Sequence, residues 1–182
     1  MKSTGGSMAS FDSLSVGCGG SDRFRGRSLK DVNIDVLKPS SRIDNFVLCD
    51  AHSLPFKEGA FESVLLSHVV EHLNSPFYCL VECRRVLRDG GCVFVETPNA
   101  CFILKAARLA MRGFYEVDRT HVQTYGVPEL KQLVERSGFS DVVVSFVGVG
   151  LTNLKFRERL ICGLFRSSRP LASYSLLAVG RK

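Results

Sequence analysis

Short apolar runs alternate with longer stretches of mixed polarity along this chain. The runs Leu14–Val16, Asn33–Asp35, Phe46–Leu48, Ser63–Ser67, Cys92–Glu96, Val142–Val147 and Ser175–Val179 predict seven strands. The central ones are nearly continuous in Val, Leu and Phe, as in strands covered on both faces. Helical spacing is clearest over 76–88. There Ser75 is placed to cap, Pro76 suits a first turn, and Phe77, Leu80, Val81 and Leu87 make an apolar stripe. Gly90 and Gly91 are placed to stop that helix. Further helices are predicted over 127–137, ended by Gly138, and over 100–112. Strand–helix–strand alternation implies parallel pairing with right-handed crossovers, hence an α/β fold.

Two segments interrupt the alternation. Between the first two strands lies "DRFRGRSLKD", short, basic and with little apolar periodicity. It predicts a loop or a single helical turn, a degenerate first crossover. Over 148–173, Leu154, Phe156, Leu160, Ile161, Leu164 and Phe165 mark one side of a helical insertion, and Lys155, Arg157, Arg159 and Arg166 the other. The last two strands flank this insertion and are expected to be antiparallel neighbours. Residues 1–10 are polar and Gly/Ser-rich and read as a flexible tail, leaving 11–182 as one domain.

Composition narrows the picture. A chain of 182 residues, 45% of them hydrophobic, suits one full-sized core. No apolar run approaches the ~18–20 residues of a membrane span, and the N-terminus lacks the apolar centre of a signal peptide, so a cytoplasmic protein is expected. Seven cysteines occur without a C-x-x-C pair and are read as small reduced thiols, several inside apolar runs. The net charge of +6 permits an anionic partner without requiring one.

Candidate chemistry begins at "LSVGCGGSD", Leu14 to Asp22, where three glycines follow a strand. Glycine there lets the backbone turn sharply and approach a ligand at the carboxyl end of the first strand. The dinucleotide fingerprint needs a glycine where Asp22 stands, and an acidic residue would repel pyrophosphate, so a ligand without phosphates fits better. Asp35 ends the second strand, placed to accept from a ribose diol. Asp50 follows the third, placed to accept from an adenine amino group, and the fourth runs into Ser67, His68 and Glu71. Polar groups therefore collect on one rim of the sheet.

With these residues in view, the chain resembles the class I S-adenosylmethionine-dependent methyltransferases of the small type 11 kind. The resemblance rests on "VGCGG", "NIDV", "CDAHSLPFKEGAFESVLLSHVVEHL", "ECRRVLRDGGCVFVETPN" and "DRTHVQTYGVPELKQLVERSGF", in the family's order. It implies a Rossmann-like, doubly wound, mostly parallel sheet of seven strands in the order 3-2-1-4-5-7-6, the last antiparallel. It implies S-adenosylmethionine as cofactor and S-adenosylhomocysteine as product. Gly17, Cys18 and Gly19 would lie under the methionine part. Asp35 and Val36 would meet the ribose, Asp50, Ala51 and His52 the adenine, and Ser67 and His68 the sulfonium. The acceptor pocket would draw on His72, Glu96, Asn99 and Tyr125.

A hydroxyl acceptor profits from a base. His121 in "DRTHVQTYG" is the candidate, with Asp118 to orient it; the other reading of His121 is a loop bridge before the next helix. His68 and His72 flank Glu71, but the glutamate is misplaced for H-E-x-x-H and no third ligand is evident, so no metal is expected. The stretch 153–169 reads as a core helix, as a lid or membrane-surface element for a lipid-linked or glycan substrate, or as a homodimer interface.

The leading expectation is methyl transfer to a small-molecule, lipid or sugar acceptor. A non-catalytic or partner-dependent binding module is the alternative. It is favoured by Ser15, where the family usually has an acidic residue, by Ser21, often a glycine there, and by the missing helices ahead of the first strand. A nucleic-acid methyltransferase ranks third, because no interleaved basic–aromatic platform is present.

Overall fold

A computed structural model describes residues 11–18, 31–40, 42–101, 120–147 and 175–182. Its strands are β1 (Phe11–Val16), β2 (Asp31–Asp35), β3 (Phe46–Leu48), β4 (Phe61–Ser67), β5 (Leu87–Pro98), β6 (Ser140–Val147) and β7 (Ser175–Arg181). Two helices are described, α1 (Pro76–Val86) and α2 (Val127–Arg136), and a single 3-10 turn, Val70–His72, follows β4. The seven strands form one sheet in the order β3-β2-β1-β4-β5-β7-β6, as predicted. β1 to β5 pair in parallel, and β7 runs antiparallel between β5 and β6.

The register explains the core. Leu14 and Val16 of β1 sit beside Val32 and Ile34 of β2 and Val64 and Leu66 of β4, and all six are buried. Phe61 at the foot of β4 is fully buried and meets the Phe56 ring edge-on, with centroids 5.0 Å apart. Glu82 and Arg85 of α1 hold the segment after β3 from the side. Glu82 accepts the Leu54 N–H, and Arg85 donates to the carbonyls of Leu54 and Phe56. The Arg85 guanidinium keeps the Glu82 carboxyl below its usual range.

Three local expectations change. The inward face of α1 is Cys79, Leu80, Cys83 and Val86, while Phe77 and Val81 are partly exposed. Small cysteines let the helix approach the sheet closely. A hydrogen bond with Cys79, and then burial, hold the Cys83 thiol well above its ordinary range, and none of the six described cysteines is in a disulfide. Ser75 precedes α1 without a side-chain cap; its carbonyl accepts the Tyr78 N–H instead.

Gly90 and Gly91 do not stop the helix. α1 ends at Val86, and both glycines lie inside β5, where the register against β4 slips between the Phe61–Leu87 and Ser63–Cys92 pairs. A Cβ on Gly91 would lie 2.8 Å from the Arg88 carbonyl oxygen and 2.9 Å from that of Glu62. Both neighbours are backbone, so Gly91→Ala is expected to cost about 1–3 kcal/mol as overpacking. A thermal melt checks this; an unchanged midpoint would contradict it.

The first crossover, the helix predicted over 100–112 beyond Cys101, the insertion at 148–173 and the tail 1–10 lie outside the described residues. Among the described residues no helix is long and apolar enough to cross a membrane.

Candidate functional site

The parallel strands deliver their carboxyl ends to one rim, and the predicted ligand residues sit there. β1 ends at Val16, and Gly17 turns with φ +67, a left-handed value that favours glycine. Cys18 is buried and its N–H donates to the Ile34 carbonyl at 3.1 Å, keeping the turn beside β2. A Cβ on Gly17 would overlap a Val69 methyl, so the turn is filled from below. Gly19 lies outside the described residues.

Asp35 is the last residue of β2. Its Oδ1 accepts the Leu37 N–H at 2.9 Å, a turn that holds the carboxylate at the strand end. Val36 beside it is 69% exposed. After β3, Asp50 Oδ1 accepts from the His52 backbone N–H at 2.8 Å and lies 2.7 Å from His52 Nδ1. These bonds, the backbone one foremost, lower the Asp50 pKa. His52 Nε2 reaches the Ser75 carbonyl at 3.2 Å, tying the loop to the start of α1. Ala51 packs partly against the core.

Beyond β4 a polar network joins two strand ends. Ser67 Oγ donates to Glu96 Oε2 at 3.2 Å. His68 has φ +56, donates its N–H to the Glu96 carbonyl, and places Nε2 3.9 Å from Glu96 Oε1. Its Nδ1 lies 3.2 Å from Oε1 of Glu71, a side chain only 1% exposed. Thr97, fully buried, donates to Glu71 Oε2 at 3.0 Å.

The segment from Thr120 docks on the same turn. The Glu71 carbonyl accepts the N–H groups of Val122 and Gln123, at 2.9 and 3.2 Å. This brings the His121 ring to 4.8 Å from the His72 ring, centroid to centroid. Asp118, proposed to orient His121, lies outside the described residues. Asn99 and Tyr125, read as pocket residues, are buried and form a bridge. The Asn99 side chain accepts the Cys101 N–H, and the Tyr125 hydroxyl donates to Gln123 Oε1 at 2.9 Å.

Sequence reasoning put Glu71 on the rim without giving it a role, and missed Thr97 and Thr120. The available signal was an acidic residue in the otherwise apolar "VVEHL". A separate cleft, lined by Glu82, Arg84, Arg136, Gly138 and Lys182, sits at the opposite end of the strands.

Burial, with the Glu71 charge second, pushes the Tyr125 phenol up to about 12. A phenol held neutral by the fold contributes stability that is complete below its unfolded pKa of about 10. That contribution fades as the pH rises towards 12. Denaturant unfolding of the protein and of Tyr125→Phe between about pH 9 and 12 checks it: the variant should lose stability less steeply, and parallel slopes would contradict the assignment.

Comparison with known proteins follows the same lines. Residues 14–95 match the family model described as "Methyltransferase domain". A "Probable S-adenosylmethionine-dependent methyltransferase" of Mycolicibacterium smegmatis is 32% identical over 107 residues, covering 58% of this chain and 39% of that protein. A protein of the same description in Mycobacterium tuberculosis is 26% identical over 168 residues, covering 87% of this chain and 53% of its own. The chain thus spans about half the length, or less, of these curated relatives. The crystal structure of a SAM-dependent methyltransferase from Archaeoglobus fulgidus superposes with a TM-score of 0.65 at 22% identity, covering 94% of this chain and 86% of that one.

Proposed function

We propose that this chain carries a class I S-adenosylmethionine-dependent methyltransferase domain, a reading supported by the family-model match over 14–95 and by the relatives it resembles, and that it moves a methyl group to a small-molecule, lipid or sugar acceptor by direct in-line displacement. The observation that carries this reading is the rim itself. A positive-φ glycine turn and two carboxylates, Asp35 and Asp50, stand at the ends of three neighbouring strands.

The donor set suits the adenosyl part of the cofactor. Carboxylates accept from a ribose diol and from an amino group, and the exposed Val36 offers an apolar surface beside them. Gly17, Asp35, Asp50, Ser67 and His68 include no cation to hold a phosphate, in keeping with a ligand that has none. The cofactor, when bound, supplies a methyl group on a positively charged sulfur.

The chain's own residues then have to orient the acceptor and exclude water. His121 would take the proton of a hydroxyl acceptor. Glu96, held by Ser67 Oγ, and His68 would line the approach.

Calorimetric titration with S-adenosylmethionine and S-adenosylhomocysteine tests the reading. Micromolar binding is expected, weakened at least about tenfold by Asp35→Ala, which removes one charged hydrogen-bond acceptor worth about 1.5–3 kcal/mol. A protein that binds neither ligand, or an Asp35→Ala variant that binds both as well as before, would overturn it.

A further inference from the structure

We infer that Glu71, His72 and His121 form a site for a divalent transition-metal ion of the zinc type. The third ligand that the linear sequence lacked is His121, brought in by docking of the segment after Thr120. One ligand atom from each residue lies within 4.8 Å of the other two. Zinc held at about 2.0–2.2 Å by nitrogen and oxygen spaces its ligand atoms by roughly 3.3 Å, so the set has to draw together to hold an ion.

Two independent features point to an ion. The first is Glu71 Oε1. It is buried, and among the described residues no hydrogen-bond donor is aligned on it, although His68 Nδ1 lies 3.2 Å away. A buried carboxylate oxygen without a hydrogen bond is costly, and a cation removes that cost. The second is the outer shell. His72 Nδ1 lies 3.2 Å from the Thr120 carbonyl and 3.0 Å from its hydroxyl. Donation from Nδ1–H to that carbonyl leaves the Nε2 lone pair as the ligand, the arrangement that metal-binding histidines adopt. Thr97 fixes the other oxygen of Glu71 in the same way.

Two imidazoles and one carboxylate favour zinc-like ions over magnesium or calcium. Three protein ligands leave a coordination position open, as in catalytic zinc sites. The site adjoins His68 on the rim, so that position suits an acceptor with a hydroxyl or enol oxygen; this role, unlike the binding itself, rests on the methyl-transfer reading. With the ion bound, His121 is a ligand and no longer the base, and the metal-bound hydroxyl gives its proton to water instead. Its oxygen then forms the bond to the methyl carbon as the sulfur–carbon bond breaks, leaving methylated acceptor and S-adenosylhomocysteine.

The test is titration of the purified full chain with Zn2+ against a chromophoric chelator, and with Co2+ followed by visible absorption. Binding of one ion per chain is expected, with a nitrogen–oxygen rather than thiolate spectrum. His72→Gln and His121→Ala should each weaken it at least about tenfold, with melting temperatures near that of the parent. Cys101→Ser, at an exposed thiol, should leave it unchanged. No saturable binding, equal binding in both histidine variants, or a thiolate spectrum would overturn the inference. Titration of the same samples with S-adenosylhomocysteine separates the two readings. Cofactor binding without zinc binding removes the metal site alone; zinc binding without cofactor binding removes the methyl-transfer reading alone.

Discussion

Gly17→Ala is expected to lower both the melting temperature and the affinity for S-adenosylhomocysteine. Two costs combine. A left-handed residue with a Cβ costs about 1–2 kcal/mol, and Gly17 holds φ +67. The added methyl would also overlap Val69 Cγ2, so one of the two has to shift. Val69 is β-branched and buried against the core, so it has little room to give. Overpacking of this kind adds about 1–3 kcal/mol. Relief comes from moving the turn, and the turn is where the cofactor's backbone contacts are proposed to be.

A melting temperature lower by roughly 5–10 °C and an affinity at least about tenfold weaker are the expected readings. The double variant Gly17→Ala/Val69→Ala removes the clash but keeps the unfavourable φ. It should therefore recover part of the lost affinity. Full affinity in the single variant would show that the turn does not hold the ligand.

Phe61→Ala is expected to be the most destabilising single change in the described core. Phe61 is fully buried, opens β4 between β1 and β5, and packs edge-on to Phe56. Truncating a buried phenylalanine costs about 3–5 kcal/mol, or roughly 10 °C for a chain of this size. Phe61→Leu keeps most of the volume and should lose much less. The residue lies at the foot of β4, at the far end from Ser67 and His68. At temperatures where the variant stays folded, cofactor affinity should therefore be close to that of the parent. A loss of affinity without a loss of stability would contradict this placement.

Much of the fold was legible because its signals are local. The apolar runs at 64–66 and 93–95 are central strands, since continuous aliphatic and aromatic residues suit a sheet buried on both sides. The strand order came from the family resemblance, not from the pattern. Element edges were harder to read. Leu87 looked like the last turn of α1 but begins β5, because pairing with Phe61 wins over helical spacing. Gly90 and Gly91 carry a strand irregularity that uses the same residue type as a helix stop. For α1, periodicity alone favoured Phe77 and Val81; packing chose Cys79 and Cys83, whose small side chains admit the sheet.

The same division holds at the site. Gly17, Asp35, Asp50, Ser67 and His68 are each marked by one strand end, and a residue type at the end of an apolar run is visible in the chain itself. Glu71, Thr97, His72, Thr120 and His121 are another matter. They come from one strand end, one 3-10 turn and a distant loop, 49 positions separating His72 from His121. Short-range alternation of apolar and polar residues marks the strands and the row of polar groups along the rim. Which of those groups meet is set by folding alone. Contact across about 50 residues depends on how a loop closes back onto the sheet, and no local pattern records that.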